Sequence, residues 1–234
     1  MNLIFLGDSL MQPNDDSTFP QQGWPQGLTP YLKDPKATPI LDFALNGRST
    51  KSFLAEGRFD EALLACHPGD YCLISFGHND EKIKDRTRYT APYGSYEKNL
   101  GAMAYDLLVR GVTPIFLSSI SRLIYDDKGV LEHTHGDYPK AMQTLAQQIH
   151  APFIDLEKLT YEDLSRHTKA ENEKHYMVLP PDFYPNYPDG NKDTSHLSAN
   201  GALWICQMVV PYLRLIPGFA TILKEKGDPT CPSN

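Results

Sequence analysis

The sequence has no run of apolar residues approaching the ~18–20 that a membrane-spanning helix needs, so a membrane is not among the expected partners. It also lacks a basic opening segment followed by an apolar stretch and a small-residue cleavage site. Met1-Asn2-Leu3-Ile4-Phe5-Leu6 runs straight into Gly7-Asp8-Ser9, and a cytoplasmic location is the expectation. Positive charge is in deficit: 22 Lys and Arg against 29 Asp and Glu give a formal net charge of −7. That balance argues against nucleic acid, whose phosphates need a basic surface, while a small anion needs only a local group of cations. The four cysteines, Cys66, Cys72, Cys206 and Cys231, form no C-x-x-C pair and no metal-ligand spacing, so buried reduced thiols are expected. No repeat, low-complexity stretch or compositional break marks a linker. One domain over 1–234 is the reading, with about 217–234 as a C-terminal extension and Lys224–Asn234 a loose tail. The sequence carries no signal for an oligomeric state.

What is present is ordinary for a globular chain: 234 residues, 41% hydrophobic and 22% charged. A chain of this length buries roughly 70–75% of its unfolded surface and needs neither disulfide nor metal to hold a core. Five short apolar runs read as strands: Leu3–Leu6, Ile40–Ala44, Tyr71–Phe76, Ile115–Ser118 and Phe153–Asp155. They are continuous rather than alternating, as in strands covered on both faces. Helical spacing separates them. Tyr93, Tyr96, Leu100, Met103 and Leu107 form a stripe over Tyr93–Arg110, with Gly111 suited to the C-terminal cap. Ala141, Leu145 and Ile149 form a second stripe. Leu203, Trp204, Gln207, Met208 and Tyr212 mark a last helix from near Ser198 to before Pro217. Strands alternating with helices imply right-handed crossovers and a parallel sheet.

Ligands of such a sheet gather at the carboxyl ends of its strands, and four turns there carry reactive or donor groups. Ser9 follows the first strand in Gly7-Asp8-Ser9-Leu10, where a hydroxyl and a backbone N–H can face a site, although a capping serine has the same composition. Gly47 follows the second in Asn46-Gly47-Arg48-Ser49, where the missing side chain lets a backbone N–H approach a ligand, as it does in any tight turn. Asn79 follows the third in Gly77-His78-Asn79-Asp80. Its amide is a neutral donor for a developing oxyanion, or simply a turn former. Asp193 and His196 stand three apart in a loop before the last helix. That offset can set a carboxylate against one ring nitrogen and free the other to accept the Ser9 proton; a pair of surface caps is the plainer alternative.

The order of these four segments resembles the blocks of the SGNH (GDSL-type) hydrolases. Ser9, Gly47, Asn79 and His196 match the four block residues, and Asp193 matches the acid. The resemblance extends to the rhamnogalacturonan acetylesterase branch, carbohydrate esterase family twelve. It is carried by Gly47-Arg48-Ser49-Thr50-Lys51-Ser52-Phe53, Glu56-Gly57-Arg58, Pro68-Gly69-Asp70-Tyr71, Phe76-Gly77-His78-Asn79-Asp80 and His135-Gly136-Asp137-Tyr138-Pro139, and spans about residues 3–213. Leu10 after the GDS, where this branch often has threonine, and Leu197 after His196 are small departures that remove no catalytic atom. The resemblance implies a flavodoxin-like three-layer α/β/α sandwich with a five-stranded parallel sheet, and no cofactor. It also implies a Ser9–His196–Asp193 triad, an oxyanion hole of Ser9, Gly47 and Asn79, and acetyl removal from pectic oligosaccharides through an acetyl-enzyme.

The expected partner is therefore a small acetylated oligosaccharide. Galacturonate carboxylates would suit Arg48 and Arg122, with Lys51 nearby, although Arg48 is equally suited to tying loops together. Asp8 and His78, beside the reactive residues, complete the substrate-side candidates, His78 as a buried orienting group. Tyr184, Tyr187 and Trp24 could stack on sugars or simply pack. His133-x-His135-x-Asp137 invites a metal reading, which is set aside because such turns usually lack a full ligand set; Asp137 serves as a helix cap instead. A lipase or thioesterase of the same fold would want an apolar lid, and no apolar loop offers one. A silent carbohydrate binder would not need the triad.

Overall fold

In the computed structural model, residues 1–228, Thr230 and Pro232 are described; Cys231 and the end of the expected tail lie outside the described residues. The chain packs as two compact units. One comprises Met1–Met11, Asp34–Ser119 and His135–Glu157, and the other Gln12–Lys33, Ile120–Thr134 and Lys158–Asn234.

The first unit holds five parallel strands: β1 (Leu3–Gly7), β2 (Ile40–Asp42), β3 (Tyr71–Ser75), β4 (Thr113–Leu117) and β5 (Phe153–Ile154). They are ordered β2-β1-β3-β4-β5, the flavodoxin-like sequence of strands. Each expected strand is present, within one or two residues at its ends. Ile4, Leu6, Cys72, Ile74 and Phe116 enter a core with Phe53, Leu100, Met103 and Met142 from the surrounding helices. The alternate residues Leu3, Phe5, Leu73, Ile115 and Leu117 are fully buried as well. Burial of both faces is why the strands read as unbroken apolar runs.

Helices α1 (Thr50–Ala55), α2 (Arg58–Ala65), α3 (Glu97–Val109) and α4 (Tyr138–Gln148) belong to this unit. The helix expected from Tyr93 begins at Glu97. An irregular turn over Pro92–Tyr96 precedes it, with Gly94 at φ −139°, ψ −107°, and Tyr93 is 54% exposed. Tyr96, Leu100, Met103 and Leu107 are buried as expected, and Gly111 adopts a left-handed conformation after the helix. Asp137 occupies the N-cap of α4, but its side chain makes no capping bond.

The helix α5 (Leu156–Leu164) begins in the first unit and continues in the second. The second unit contains α6 (Lys169–Asn172), an antiparallel pair β6 (Tyr176–Leu179) and β7 (Asn191–Leu197), and α7 (Ala199–Leu213). The last helix lies where expected and buries Trp204 of the expected stripe, but its main buried face is Ala202, Ile205, Cys206, Val209 and Leu213; Leu203, Gln207 and Met208 are half-buried and Tyr212 is exposed. A 3₁₀ segment, Trp24–Tyr31, packs against this helix closely enough that a Cβ on Gly27 would lie 2.8 Å from the Ala202 carbonyl. The extension is built into the unit at its start. Phe219 and Leu223 are buried, and the Lys224 N–H donates to the Tyr31 carbonyl. The described cysteines Cys66, Cys72 and Cys206 are free and buried. Among the described residues no helix is long and apolar enough to cross a membrane.

Candidate active site

In the first unit, the turns after β1, β2 and β3 lie side by side, because Gly7 pairs with Ser75 and the chain beyond β2 still bonds to β1 through Leu45 N–H to Gly7 O. The edge between β1 and β3 is the point where the strand order reverses, the usual binding crevice of this topology. Gly7 is required for packing there: a Cβ would stand 2.8 Å from the Ser75 carbonyl. Buried Asp8 then shapes the turn. Its Oδ1 accepts the Leu10 N–H at 3.1 Å and its carbonyl accepts the Met11 N–H at 3.1 Å, folding the chain tightly around half-buried Ser9.

Gly47 has φ +78°, a left-handed conformation that side chains disfavour. The Arg48 N–H closes its turn onto the Leu45 carbonyl. Arg48 itself ties local structure together, with Nε 2.9 Å from Glu56 Oε2 and Nη1 2.9 Å from the Asn46 carbonyl. Ser49 caps α1 by accepting the Ser52 N–H.

The Asn79 side chain is held at both ends. Nδ2 donates to the Arg48 carbonyl at 3.1 Å, linking the third turn to the second. Oδ1 accepts from Lys82 Nζ at 2.9 Å and from Arg88 Nη1 at 3.2 Å. Next to it, fully buried Asp80 accepts the Thr50 N–H and the hydroxyls of Thr50 and Thr90. Burial pushes its carboxyl up to about 7, against the lowering effect of the Thr50 and Thr90 bonds. Asn99 extends the net by donating to Thr50 Oγ1. Lys82 and Arg88 carry no motif spacing, so nothing in the sequence sets them apart, whereas Asp80 ends the Gly77-His78-Asn79-Asp80 turn already singled out there.

His78 and His135 are buried with their rings edge to face, centroids 4.4 Å apart, and His135 Nδ1 lies 2.9 Å from Glu81 Oε2. Among the described residues, His78, Glu81 and His135 are the group whose ligand atoms approach closely enough for a metal ion, all within 4.8 Å. This is a different set from His133, His135 and Asp137, since His133 stacks on Tyr161.

In the second unit, Asp193 and His196 are placed by an irregularity in β7 rather than by a loop. Met177 pairs with Asp193 and the adjacent Tyr176 with Leu197, so Thr194, Ser195 and His196 bulge out against a single step of β6. Asp193 closes the bulge. Its Oδ1 accepts the N–H groups of Ser195 at 2.8 Å and His196 at 3.0 Å, and its Oδ2 faces His196 Nδ1 at 2.6 Å. Partial burial opposes ionisation of this carboxyl, but the bonds from the His196 ring and from both backbone groups outweigh it and hold it down at about 2. An ionised acceptor keeps the proton on Nδ1, leaving Nε2 as the basic nitrogen.

Arg122 is half-buried in the 120–134 segment. Trp24 is 1% exposed and belongs to the core, which removes it as a sugar platform. Tyr184 and Tyr187 are half-buried in an ordered turn: Tyr184 meets Phe19 and Phe183 edge-on, and Tyr187 donates to the Thr18 carbonyl.

The sequence pattern of the GDSL-like Lipase/Acylhydrolase family matches residues 5–202. Rhamnogalacturonan acetylesterase RhgT of Bacillus subtilis (strain 168) is 34% identical over 207 residues, 88% of this chain and 87% of its own. YesY of the same organism, named a probable rhamnogalacturonan acetylesterase, is 31% identical over 96% of this chain and 99% of its own. Two solved structures share the fold. The Bacillus subtilis protein YXIM has a TM-score of 0.77 at 21% identity, covering 93% of this chain, which spans 57% of that protein's chain. Axe2, an acetylxylan esterase from Geobacillus stearothermophilus, has a TM-score of 0.63 at 15% identity, covering 100% and 97%. With the sequence pattern running from β1 into α7 and two relatives aligned over most of their length, the chain belongs to the GDSL-like lipase/acylhydrolase family and is a carboxylic ester hydrolase.

Proposed function

We propose that this hydrolase removes acetyl groups from pectic, rhamnogalacturonan-type oligosaccharides, with Ser9 as nucleophile, His196 as general base and Asp193 as its orienting acid. The observation that carries the reading is the Asp193–His196 pair, because a carboxylate on Nδ1 prepares the imidazole for one task, proton transfer at Nε2. The names of RhgT and YesY support the acetyl and pectic assignments.

In the proposed reaction His196 Nε2 takes the Ser9 hydroxyl proton as Oγ bonds to the acetyl carbon. The charge on the carbonyl oxygen is met by the N–H groups of Ser9 and Gly47 and by Asn79 Nδ2. The bond to the sugar oxygen then breaks and that oxygen takes the proton from His196. Water, deprotonated by the same ring, adds to the acetyl carbon; the bond to Ser9 Oγ breaks, acetate leaves and Oγ takes the proton back from His196. No step calls for a cofactor. Arg48 and Arg122 are the proposed contacts for uronate carboxylates, and Asp8 and His78 shape the substrate side of the turns. A cytoplasmic enzyme taking imported oligosaccharides is part of the proposal. Residues 1–234 are read as one hydrolase domain.

The test is acetate release from acetylated rhamnogalacturonan oligosaccharides, with Ser9→Ala as control. Wild-type release that falls by about 10⁶ in the variant supports the reading. Cleavage of p-nitrophenyl acetate alone removes the pectic substrate, and preference for acyl chains beyond four carbons favours a lipase. Silence on every ester favours a binder.

A further inference from the structure

Two cations meet on one neutral side chain in the turn after β3. Lys82 Nζ and Arg88 Nη1 both donate to Asn79 Oδ1, at 2.9 and 3.2 Å. Lysine and arginine have no acceptor to offer, so this end of the amide is oxygen and the other end is nitrogen. The pair therefore fixes which way Asn79 faces. Of the two Nδ2 protons one goes to the Arg48 carbonyl, and the second is left for a ligand.

Arg88 is itself held. Its Nε bonds to Asp85 Oδ2, and that carboxyl is kept at about 2 by the Thr87 hydroxyl and by Arg88. It also stands beside the second turn, since a Cβ on Gly47 would lie 3.7 Å from Nη1. A single guanidinium thus borders both Gly47 and Asn79.

An amide whose oxygen accepts charged hydrogen bonds shifts electron density from nitrogen toward oxygen. Its C–N bond gains double-bond character and its N–H groups become more acidic. Charged partners make hydrogen bonds about twice as strong as neutral ones, and bonds in a chain reinforce one another by roughly 10–30% each. A stronger N–H gains most where the acceptor carries full negative charge, which for an ester is the tetrahedral intermediate rather than the bound substrate.

We propose that Lys82 and Arg88 are positioning residues that orient and polarise the Asn79 amide as an oxyanion donor, an inference that rests on the reading of Asn79 given above. They act through Asn79 and touch no reacting atom. Their removal lowers kcat and spares KM.

The experiment is a double-mutant cycle on p-nitrophenyl acetate with Lys82→Met, Arg88→Gln and Asn79→Ala. Lys82 is exposed on the surface, so its variant is the one less disruptive to the fold, and circular dichroism on each variant checks that it folds. Arg88→Lys retains a donor cation and guards the second position. In the wild-type background Lys82→Met and Arg88→Gln should each lower kcat by ~3–10-fold with KM within about twofold, Arg88→Lys recovering most of the loss. Asn79→Ala should cost ~10²–10³ in kcat. With Asn79 already alanine, removing either cation should change kcat by less than about twofold. Losses that multiply with that of Asn79→Ala, or that appear in KM, would overturn the proposal while leaving Asn79 as a donor. If Asn79→Ala keeps full activity while Ser9→Ala has none, the oxyanion reading falls and the proposal falls with it.

Discussion

An imidazole serves as a base at one nitrogen only while its proton is pinned on the other, and at position 196 that pinning depends on one carboxylate. Asn at 193 preserves the shape and can still accept the backbone N–H groups, but it no longer favours the protonated ring that forms during attack. Asp193→Asn should therefore lower kcat by ~10⁴, the scale of this change in serine triads, with a far smaller effect on KM. Steady-state kinetics on p-nitrophenyl acetate would check this, and a loss below about tenfold would remove Asp193 from its role. The carboxyl titrates at about 2, below its unfolded value of about 3.9. Its contribution to stability is thus present above pH ~4 and lost as pH falls toward 2. The pair was readable from Asp193-x-x-His196 because a three-residue offset limits where a carboxylate can reach. Lys82 and Arg88 were not, because long cations occur throughout this chain and only the fold of the 79–91 turn brings these two to Asn79.

At the scale of elements, the five parallel strands were legible because burial on both faces leaves a simple trace, a short unbroken apolar run. β7 leaves no such trace. Asn191-Lys192-Asp193-Thr194-Ser195-His196 has neither an apolar run nor alternation, and its strand character comes from pairing with β6, which local sequence cannot announce. The buried face of α7 agrees with the expected stripe only at Trp204, for the opposite reason: the helix is apolar nearly all round, so several stripes compete. Its start was nonetheless signalled by Ser198, whose hydroxyl accepts the Gly201 N–H at 3.2 Å and donates to the Lys174 carbonyl at 2.8 Å. Ser198 anchors the strand that carries the bulge, immediately after Leu197. Ser198→Ala should cost about 1 kcal/mol of stability through the lost cap, about 2–4 °C in Tm for a chain of this size. Thermal unfolding followed by circular dichroism measures it, and an unchanged Tm would mean that the cap adds nothing to the fit of α7 against its neighbours.

For the whole molecule the decisive electrostatic feature is that two carboxyls of the first unit are harder to ionise in the folded state than in water. Burial raises Asp42 to about 8, opposed only by the Ala44 N–H, and Asp80 to about 7, opposed by its threonine partners. Unfolded, both release their protons near pH 4. Between pH ~4 and ~8 the native protein therefore holds protons that the unfolded chain has lost, and stability must fall as pH rises through this window. Asp193 acts in the opposite sense, but only below pH ~4. The chain should consequently be most stable on the acid side of neutrality, although its net charge of −7 would by itself suggest only a gradual change. Asp42 allows a clean test, since Asn keeps the acceptor for the Ala44 N–H, 2.9 Å away, and cannot ionise. Urea unfolding of Asp42→Asn and wild type should agree at pH 3, where the Asp42 carboxyl is protonated in both the folded and the unfolded chain. At pH 9 the variant should be more stable by at least about 1.4 kcal/mol, the value of one tenfold change in proton affinity, or about 3–6 °C in Tm. Parallel pH profiles for the two proteins would show that Asp42 ionises freely in the fold and that the alkaline loss of stability has another source.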